Sequence, residues 1–312
     1  MVRISLVIPV YNAEETLGGL LRSISEQTLA AELFEVIVVD DGSTDKSASL
    51  VRACPNIQLL SQENRGPGAA RNLGTRQARG VVIVYADADC ILPPSFLGEH
   101  LRLHEEHKEI DGLHGGIAPA NALQYGSCVL ADHLCNWFWD HNASPEHEAE
   151  YLPSANMSLK RRVFEAGVCW SEKRITGEDV DLSLQMRARG MRIRFFPGPY
   201  LYHVDRASLG QFLRHQYNWG FHAPFVRGSH KEADYSFLFP ASLWKAWFCC
   251  PLIIMGYTAL VTRGWWRHRP VGLLSVMPLV VLGKIWYARG VLDGTKALVS
   301  SMDGIIADKR DG

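Results

Sequence analysis

The stretch VVIVYADADC, residues 81–90, runs from β-branched and aromatic residues into two carboxylates, Asp87 and Asp89, one alanine apart. In an extended chain residues two apart point to one face, so these acids are expected to stand side by side. Like charges that close repel, and apolar walls make the cost worse. A hard divalent cation, Mg²⁺ or Mn²⁺, removes the repulsion and is commonly shared with phosphate oxygens. A hydroxyl-rich ligand in need of acceptors would also use the pair. A second acidic pair, Asp40 and Asp41, ends the apolar run FEVIVVD. Ser43, Thr44 and Asp45 behind it are turn and capping residues, but the doubled acid is not explained by a turn. A carboxylate there can accept from a ribose hydroxyl or a base N–H. A third pair, Glu178 and Asp179, opens GEDVDLSLQMRARG. Acids in the first turn and Arg187 and Arg189 in the last complement a helix dipole without any chemistry. The chemical alternative is that one of the two acids is a general base facing an acceptor hydroxyl.

Positioning these acids requires a scaffold, and the apolar pattern supplies one. RISLVIPV, FEVIVVD, IQLL and residues 81–85 read as strands, each separated from the next by a helical segment. Strands buried on both faces and alternating with helices indicate a parallel sheet flanked by helices. Ligands bind beyond the carboxyl ends of such strands, where both the Asp40 and the Asp87 pairs fall. NRGPGAARNLG, between the third and fourth strands, invites a dinucleotide-binding reading, yet Arg71 stands where the third glycine belongs. A nicotinamide-dependent Rossmann oxidoreductase is therefore the weaker alternative. The helix start at Gly68, with Arg65 and Arg71, suits a phosphate.

Composition bounds the partners. A net charge of −1 over 312 residues, with no long basic run, argues against nucleic acid. The seven cysteines are scattered, with no CxxC, which indicates neither a disulfide framework nor a zinc site and suits a reducing compartment. A first strand accounts for MVRISLVIPVYN better than a signal peptide does. HLRLHEEHKE carries His100, His104 and His107 but lacks HExxH spacing and reads as an exposed helix face. The sequon at Asn142 has little use in a chain without a secretory signal.

VIPVYN, VDDGSTD, NRGPGAARN, DAD, ANMSLKRRVFEAG and GEDVDL occur in the order found in family 2 glycosyltransferases. The chain resembles that family from about Ile4 to Gly220. The resemblance implies an α/β domain of the GT-A type, Rossmann-like, with a largely parallel sheet flanked by helices. It also implies a nucleotide-sugar donor, a divalent metal and transfer with inversion. By position, Pro9 and Tyr11 would line the nucleotide pocket, Asp41 would hold the base, and Arg71 would support the nucleotide and the metal-binding loop. Asp87 would face the ribose side and Asp89 would ligate the metal. His203, in YLYHVD, matches a further metal ligand, its ordinary reading being a packed strand-end histidine. Asn156 would line the donor-sugar pocket. Asp179 matches the base, with Glu178 beside it at the substrate. HQYNWG resembles the Gln-x-x-Arg-Trp element of processive members, which puts Trp219 among the substrate-binding residues. Asn218 replaces its arginine, so single transfer to a glycan or lipid-linked acceptor is expected rather than polymer synthesis. A non-catalytic relative would have lost Asp89 or Asp179, and both are present.

The composition changes after the polar RGSHKEAD. The expected division is a catalytic domain over 1–220, a linker over 221–235 and an apolar helical hairpin over 236–312. Its two apolar blocks, about 17 and about 13 residues before Lys284, are short for crossing a bilayer. The connector RGWWRHRP is rich in Arg and Trp, which belong at a membrane surface. The expectation is a pair of helices dipping into, or lying along, the cytoplasmic leaflet, with the catalytic domain in the cytoplasm.

Overall fold

The computed structural model describes residues 1–120, 126–138, 141, 143–174, 176–227 and 235–308. From the N-terminus the chain forms β1 (Ile4–Val10), α1 (Leu17–Ser25), β2 (Phe34–Asp40), α2 (Ser47–Arg52), β3 (Ile57–Ser61), α3 (Pro67–Gln77) and β4 (Val82–Ala86). β5 (Cys90–Ile91), α4 (Phe96–Glu106), β6 (Gly112–Pro119) and α5 (Ser127–Asn136) follow. Then come β7 (His147–Glu148), β8 (Asn156–Lys160), α6 (Arg162–Glu165), α7 (Glu178–Ala188) and β9 (Ile193–His203). The long helices α8 (Leu209–Arg227), α9 (Leu243–Trp265) and α10 (Pro270–Asp308) close the described chain.

Two compact units result. The first comprises Met1–Ala120 and Asp140–Val204, the second Asn121–Trp139 and Asp205–Gly312. The first unit is one sheet in the order β3-β2-β1-β4-β8-β6-β9-β5, with β7 on β9. β3, β2, β1 and β4 are parallel, and their apolar runs are buried where the strands are central. β8 runs antiparallel to β4 and β6, while β6 and β9 are parallel. The α/β sheet flanked by helices is therefore present, its all-parallel part confined to the first four strands. Val7, Val39, Ile83, Tyr85, Met157, Leu159, Trp170 and Leu182 form the core on one side of it. α3 starts with Pro67 at its first position, where the missing N–H costs nothing. A Cβ on Gly68 would stand 2.2 Å from the Ser171 carbonyl oxygen, so only glycine lets α3 approach that loop.

α4 differs from its sequence reading. His100 and His104 are buried, not exposed, and both ring systems contact the Ser158 hydroxyl at 2.8 Å. A helix that packs on the sheet through Leu97 and Leu101 turns positions 100 and 104 inward with them. Burial holds His100 down at about 3, so it is a neutral hydrogen-bonding group. Asn142 lies outside the described residues.

The second unit is helical: α5, α8, α9 and α10. α8 continues to Arg227, through the first half of the expected linker, and residues 228–234 lie outside the described residues. Residues 209–220, expected in the catalytic domain, pack instead with the C-terminal helices. Gly220 allows this, since a Cβ there would meet the Tyr287 carbonyl oxygen at 1.9 Å. The second apolar block is not short. Lys284 does not end it, because the side chain is buried and donates to Gln216 Oε1 at 2.8 Å. α9 and α10 are long and apolar enough to cross a membrane by length and composition, 23 residues in one and 32 in the other.

Candidate active site

The loops that follow β1 and β2 are laced together. Asn12 sits in the left-handed region at φ 48°, and its N–H donates to Ser43 Oγ at 3.0 Å. Its side-chain oxygen accepts from the Thr44 N–H at 2.8 Å. Pro9 lies half-buried in β1 opposite Val39, and Tyr11, just past the strand, is exposed.

Asp41 is buried and holds the loop between β3 and α3. Its Oδ1 accepts from Gln62 Nε2 at 2.7 Å and from the Arg65 N–H at 2.9 Å. Its Oδ2 accepts from the Gly66 N–H at 2.8 Å. Asp40 accepts from the Ser43 N–H, as a turn residue does.

Arg71 is the centre of the site. Its guanidinium is buried over the Trp170 ring, 4.8 Å from the centroid. One amino group donates to Glu178 Oε1 at 2.6 Å, the other to Asp87 Oδ1 at 2.7 Å and Ser154 Oγ at 2.9 Å. Burial alone would weaken its hold on a proton, but Asp87 and Glu178 more than offset that and keep it charged. This explains why the third glycine of a dinucleotide loop is absent: the position carries the cation that joins three loops.

Asp87 and Asp89 do not stand in extended chain and take different partners. The chain turns after β4, with the Cys90 N–H donating to the Asp87 carbonyl at 3.1 Å, so the extended geometry behind that expectation does not hold. Asp87 answers to Arg71 and Asp89 to His203, whose Nε2 lies 3.4 Å from Asp89 Oδ1. The pairing of Cys90 with His203 between β5 and β9 brings this histidine to the acid.

Glu178 and Asp179 begin α7 but differ in surroundings. Glu178 is buried; burial pushes it up to about 7, Arg71 pulls it down, and the adjacent Asp179 adds to the rise. Asp179 is half-buried, accepting from the Tyr151 hydroxyl at 2.5 Å, the Ser154 N–H at 3.3 Å and the Val180 N–H at 2.8 Å. Burial lifts its pKa above the ordinary carboxylate range against those hydrogen bonds and the charge of Arg71. A half-buried carboxylate with raised proton affinity is suited to general-base work.

Among the described residues no cluster of three or more His, Cys, Asp and Glu forms a complete metal cage. Asp89 and His203 offer two donors of types that Mn²⁺ accepts, which fits a metal completed by phosphate oxygens and water. Asn156, expected in the sugar pocket, is fully buried. Its amide donates to the Gly116 and Pro199 carbonyls, both at 2.9 Å, and so braces β8 against its neighbours. Trp219 belongs to α8 of the second unit and stacks edge-on with His215, centroids 5.0 Å apart. Tyr151, Ser154 and Trp170 were not singled out from the sequence. They lie in loops without a periodic pattern, and only the fold brings them to Arg71 and Asp179.

The fold is an α/β domain whose parallel strands β2 and β4 lead into acidic residues at their carboxyl ends. Residues 5–120 match the model of glycosyl transferase family 2, and residues 82–288 match that of glycosyl transferase family group 2. The chain belongs to the family 2 glycosyltransferases. It is 34% identical over 110 residues to an uncharacterized glycosyltransferase, YfnE, of Bacillus subtilis, covering 34% of this chain and 28% of that one. It is 32% identical over 112 residues to the poly(ribitol-phosphate) beta-N-acetylglucosaminyltransferase TarS of Staphylococcus aureus, 34% of this chain and 20% of TarS. The matched stretches thus span less than a third of these relatives. Among solved structures, the mannosyltransferase PcManGT of Pyrobaculum calidifontis, in complex with GDP-Man and Mn²⁺, superposes with a TM-score of 0.62 at 18% identity. That alignment covers 93% of this chain and 87% of PcManGT. TarS residues 1–349 in complex with UDP-GlcNAc superpose at 0.54 and 17% identity, over 97% of this chain and 92% of that one. These likenesses establish a GT-A fold.

Proposed function

We propose that this chain transfers one sugar, with inversion, from a nucleotide-sugar donor to a hydroxyl of a glycan, a lipid-linked acceptor or an envelope polysaccharide precursor. The observation that carries the reading is the Asp87–Arg71–Glu178 bridge, which ends beside a half-open Asp179 of raised proton affinity. The two solved neighbours hold a nucleotide sugar each, which supports the donor class.

Asp179 takes the proton of the acceptor hydroxyl as its oxygen attacks the anomeric carbon. The bond to the diphosphate breaks, and its electron pair leaves with the nucleoside diphosphate. Glu178 does not compete for this role, because it is buried and committed to Arg71. Tyr151 and the Ser154 N–H aim the Asp179 carboxylate. Pro9, Tyr11 and the loop held by Asp41 receive the nucleoside, with Asp87 towards the ribose. Asp89 and His203 would hold a divalent metal, Mg²⁺ or Mn²⁺, which when bound stabilises the charge on the departing diphosphate. The two long apolar helices of the second unit support association with a membrane, and in this reading the protein works at its cytoplasmic face.

A panel of nucleotide sugars, offered with and without Mn²⁺, tests the reading. At least one is expected to bind and to be hydrolysed slowly in a metal-dependent way. Binding of a nicotinamide dinucleotide and of no nucleotide sugar would overturn it in favour of an oxidoreductase.

A further inference from the structure

α9 presents two different faces. Ala246, Cys250, Ile253, Val261 and Trp265 are buried within the second unit. The opposite stripe is apolar and open, with Trp244, Trp247, Phe248 at 76%, Leu252 and Met255 at 61% exposed. Positions 244, 248, 252, 255 and 259 follow one helical face. An apolar stripe that continuous is costly in water and marks an interaction surface.

The other helices of the unit argue against a simple crossing. α8 lies along α10: Phe212 packs at Gly283, and the Tyr217 hydroxyl donates to Asp293 at 3.0 Å. α8 also carries Arg214, His215 and His222, which a spanning α10 would drag into hydrocarbon at high cost. The Trp265 indole N–H is tied to the Leu134 carbonyl of α5 at 3.1 Å. A unit lying in the interface leaves those groups wet and buries only the open stripe.

Along α9, with Val281 of α10 at its edge, lies an open depression of about 690 Å³ lined by Ile254, Met255, Thr258, Ala259 and Thr262. That volume falls within the usual range of about 300–1,000 Å³ for a bound small molecule. At one end stand Arg263, Arg267 and Trp266, all exposed. Arg263 closes α9 and Arg267 stands in the turn just after it, both lining the depression. An apolar trough ending in two guanidinium groups and an indole complements an anionic headgroup on an apolar tail.

We propose that this depression takes one acyl chain of an acidic phospholipid, with the headgroup phosphate held by Arg263 and Arg267. The proposal rests on the membrane reading above and adds the lipid charge and the residues that select it.

The test floats the full chain with vesicles of phosphatidylcholine alone, or of phosphatidylcholine mixed with phosphatidylglycerol. A portion of the phosphatidylglycerol carries a photoactivatable acyl chain. The native protein is expected to float with both, to prefer the acidic vesicles, and to cross-link at α9 and α10. Each basic residue at an acidic surface contributes about fivefold, so R263Q/R267Q should lose about thirtyfold of that preference while still floating with phosphatidylcholine. Ala259 is exposed, so Ala259→Trp fills the depression without crowding the interior; it should keep flotation and lose the cross-link. An undiminished preference in R263Q/R267Q, or an undiminished cross-link in Ala259→Trp, overturns the lipid-site proposal and leaves membrane association standing. Failure of the native protein to float with any vesicle overturns the membrane reading and the lipid-site proposal together.

Discussion

Two buried cations, Arg71 in the first unit and Lys284 in the second, are held in opposite ways. Arg71 sits between two carboxylates and a hydroxyl, over an indole. Lys284 donates to an amide oxygen of Gln216 and the Cys135 carbonyl, 5.8 Å from the ring centroids of Tyr257 and Tyr287. Gln216 passes the chain on to Asn136 Oδ1 at 3.0 Å. The first network carries opposite charges and ends at a buried acid, Glu178, and a partly exposed one, Asp87. The second surrounds its cation with neutral groups and reaches a charged residue, Asp132, only through Asn136 and His215. The difference teaches which polar cluster is reactive: burial is common to both, but only one adjoins a half-buried carboxylate whose proton affinity burial raises. The Lys284 chain has the form of a device that fixes how α5, α8 and α10 register.

The comparison breaks if the open acids prove dispensable. The largest effect is expected at Asp89, whose replacement by alanine removes one of the two protein donors proposed for the metal. Turnover should fall by several orders of magnitude and metal-dependent nucleotide binding should weaken, with the melting temperature unchanged. Full activity in that variant, or activity indifferent to a chelator, would remove the metal from the mechanism. Asp179→Asn comes next. It keeps size and most hydrogen bonds but cannot accept a proton, so a loss of about 10²–10⁴-fold in turnover is expected with donor affinity near native. Normal transfer by Asp179→Asn, with Glu178→Gln inactive, would exchange the two roles.

Stability sharpens the contrast between the cations. Arg71→Met strands Glu178 and Asp87 without their counter-charge, and breaking a buried pair from one side costs about 3–5 kcal/mol. Lys284→Met leaves two neutral acceptors unpaired, about 1–3 kcal/mol each, and this is offset by no longer burying an ammonium group. Thermal melts of the two variants should therefore separate clearly, with Arg71→Met the lower. Equal losses would mean that Lys284 has an ionic partner in solution.

The parallel half of the sheet was legible because β1, β2 and β4 are apolar on both faces and β2 and β4 run into acids. So was the position of Arg71, since it interrupts a glycine pattern. What escaped the sequence is what depends on non-local partners. The antiparallel return of β8 and the pairing of β5 with β9 carry no local signal, yet that pairing decides which residue meets Asp89. The turn at Asp87–Cys90 defeated a same-face argument that holds only for extended chain. His100 and His104 looked exposed because histidine is polar; the Ser158 hydroxyl that accommodates them lies on another strand. Lys284 looked like the end of an apolar segment for the same reason, its acceptors being on α5 and α8.

The smallest predicted effect is the most specific to this chain. Tyr151 donates to the same oxygen of Asp179 that the Ser154 N–H reaches, and a bond from a neutral hydroxyl stabilises the ionised carboxylate. Burial already lifts the Asp179 pKa, so removing that donor lifts it further. A base must be deprotonated to act; activity is therefore present above the pKa of Asp179 and lost as the pH falls through it. Tyr151→Phe should move this acid limb to higher pH while leaving activity on the alkaline plateau close to native. Ser154→Ala serves as the control, since it removes an acceptor of Arg71 but keeps the backbone N–H on Asp179. An acid limb unmoved in Tyr151→Phe would mean that Asp179 does not govern it, and the half-open carboxylate would lose its claim to be the base.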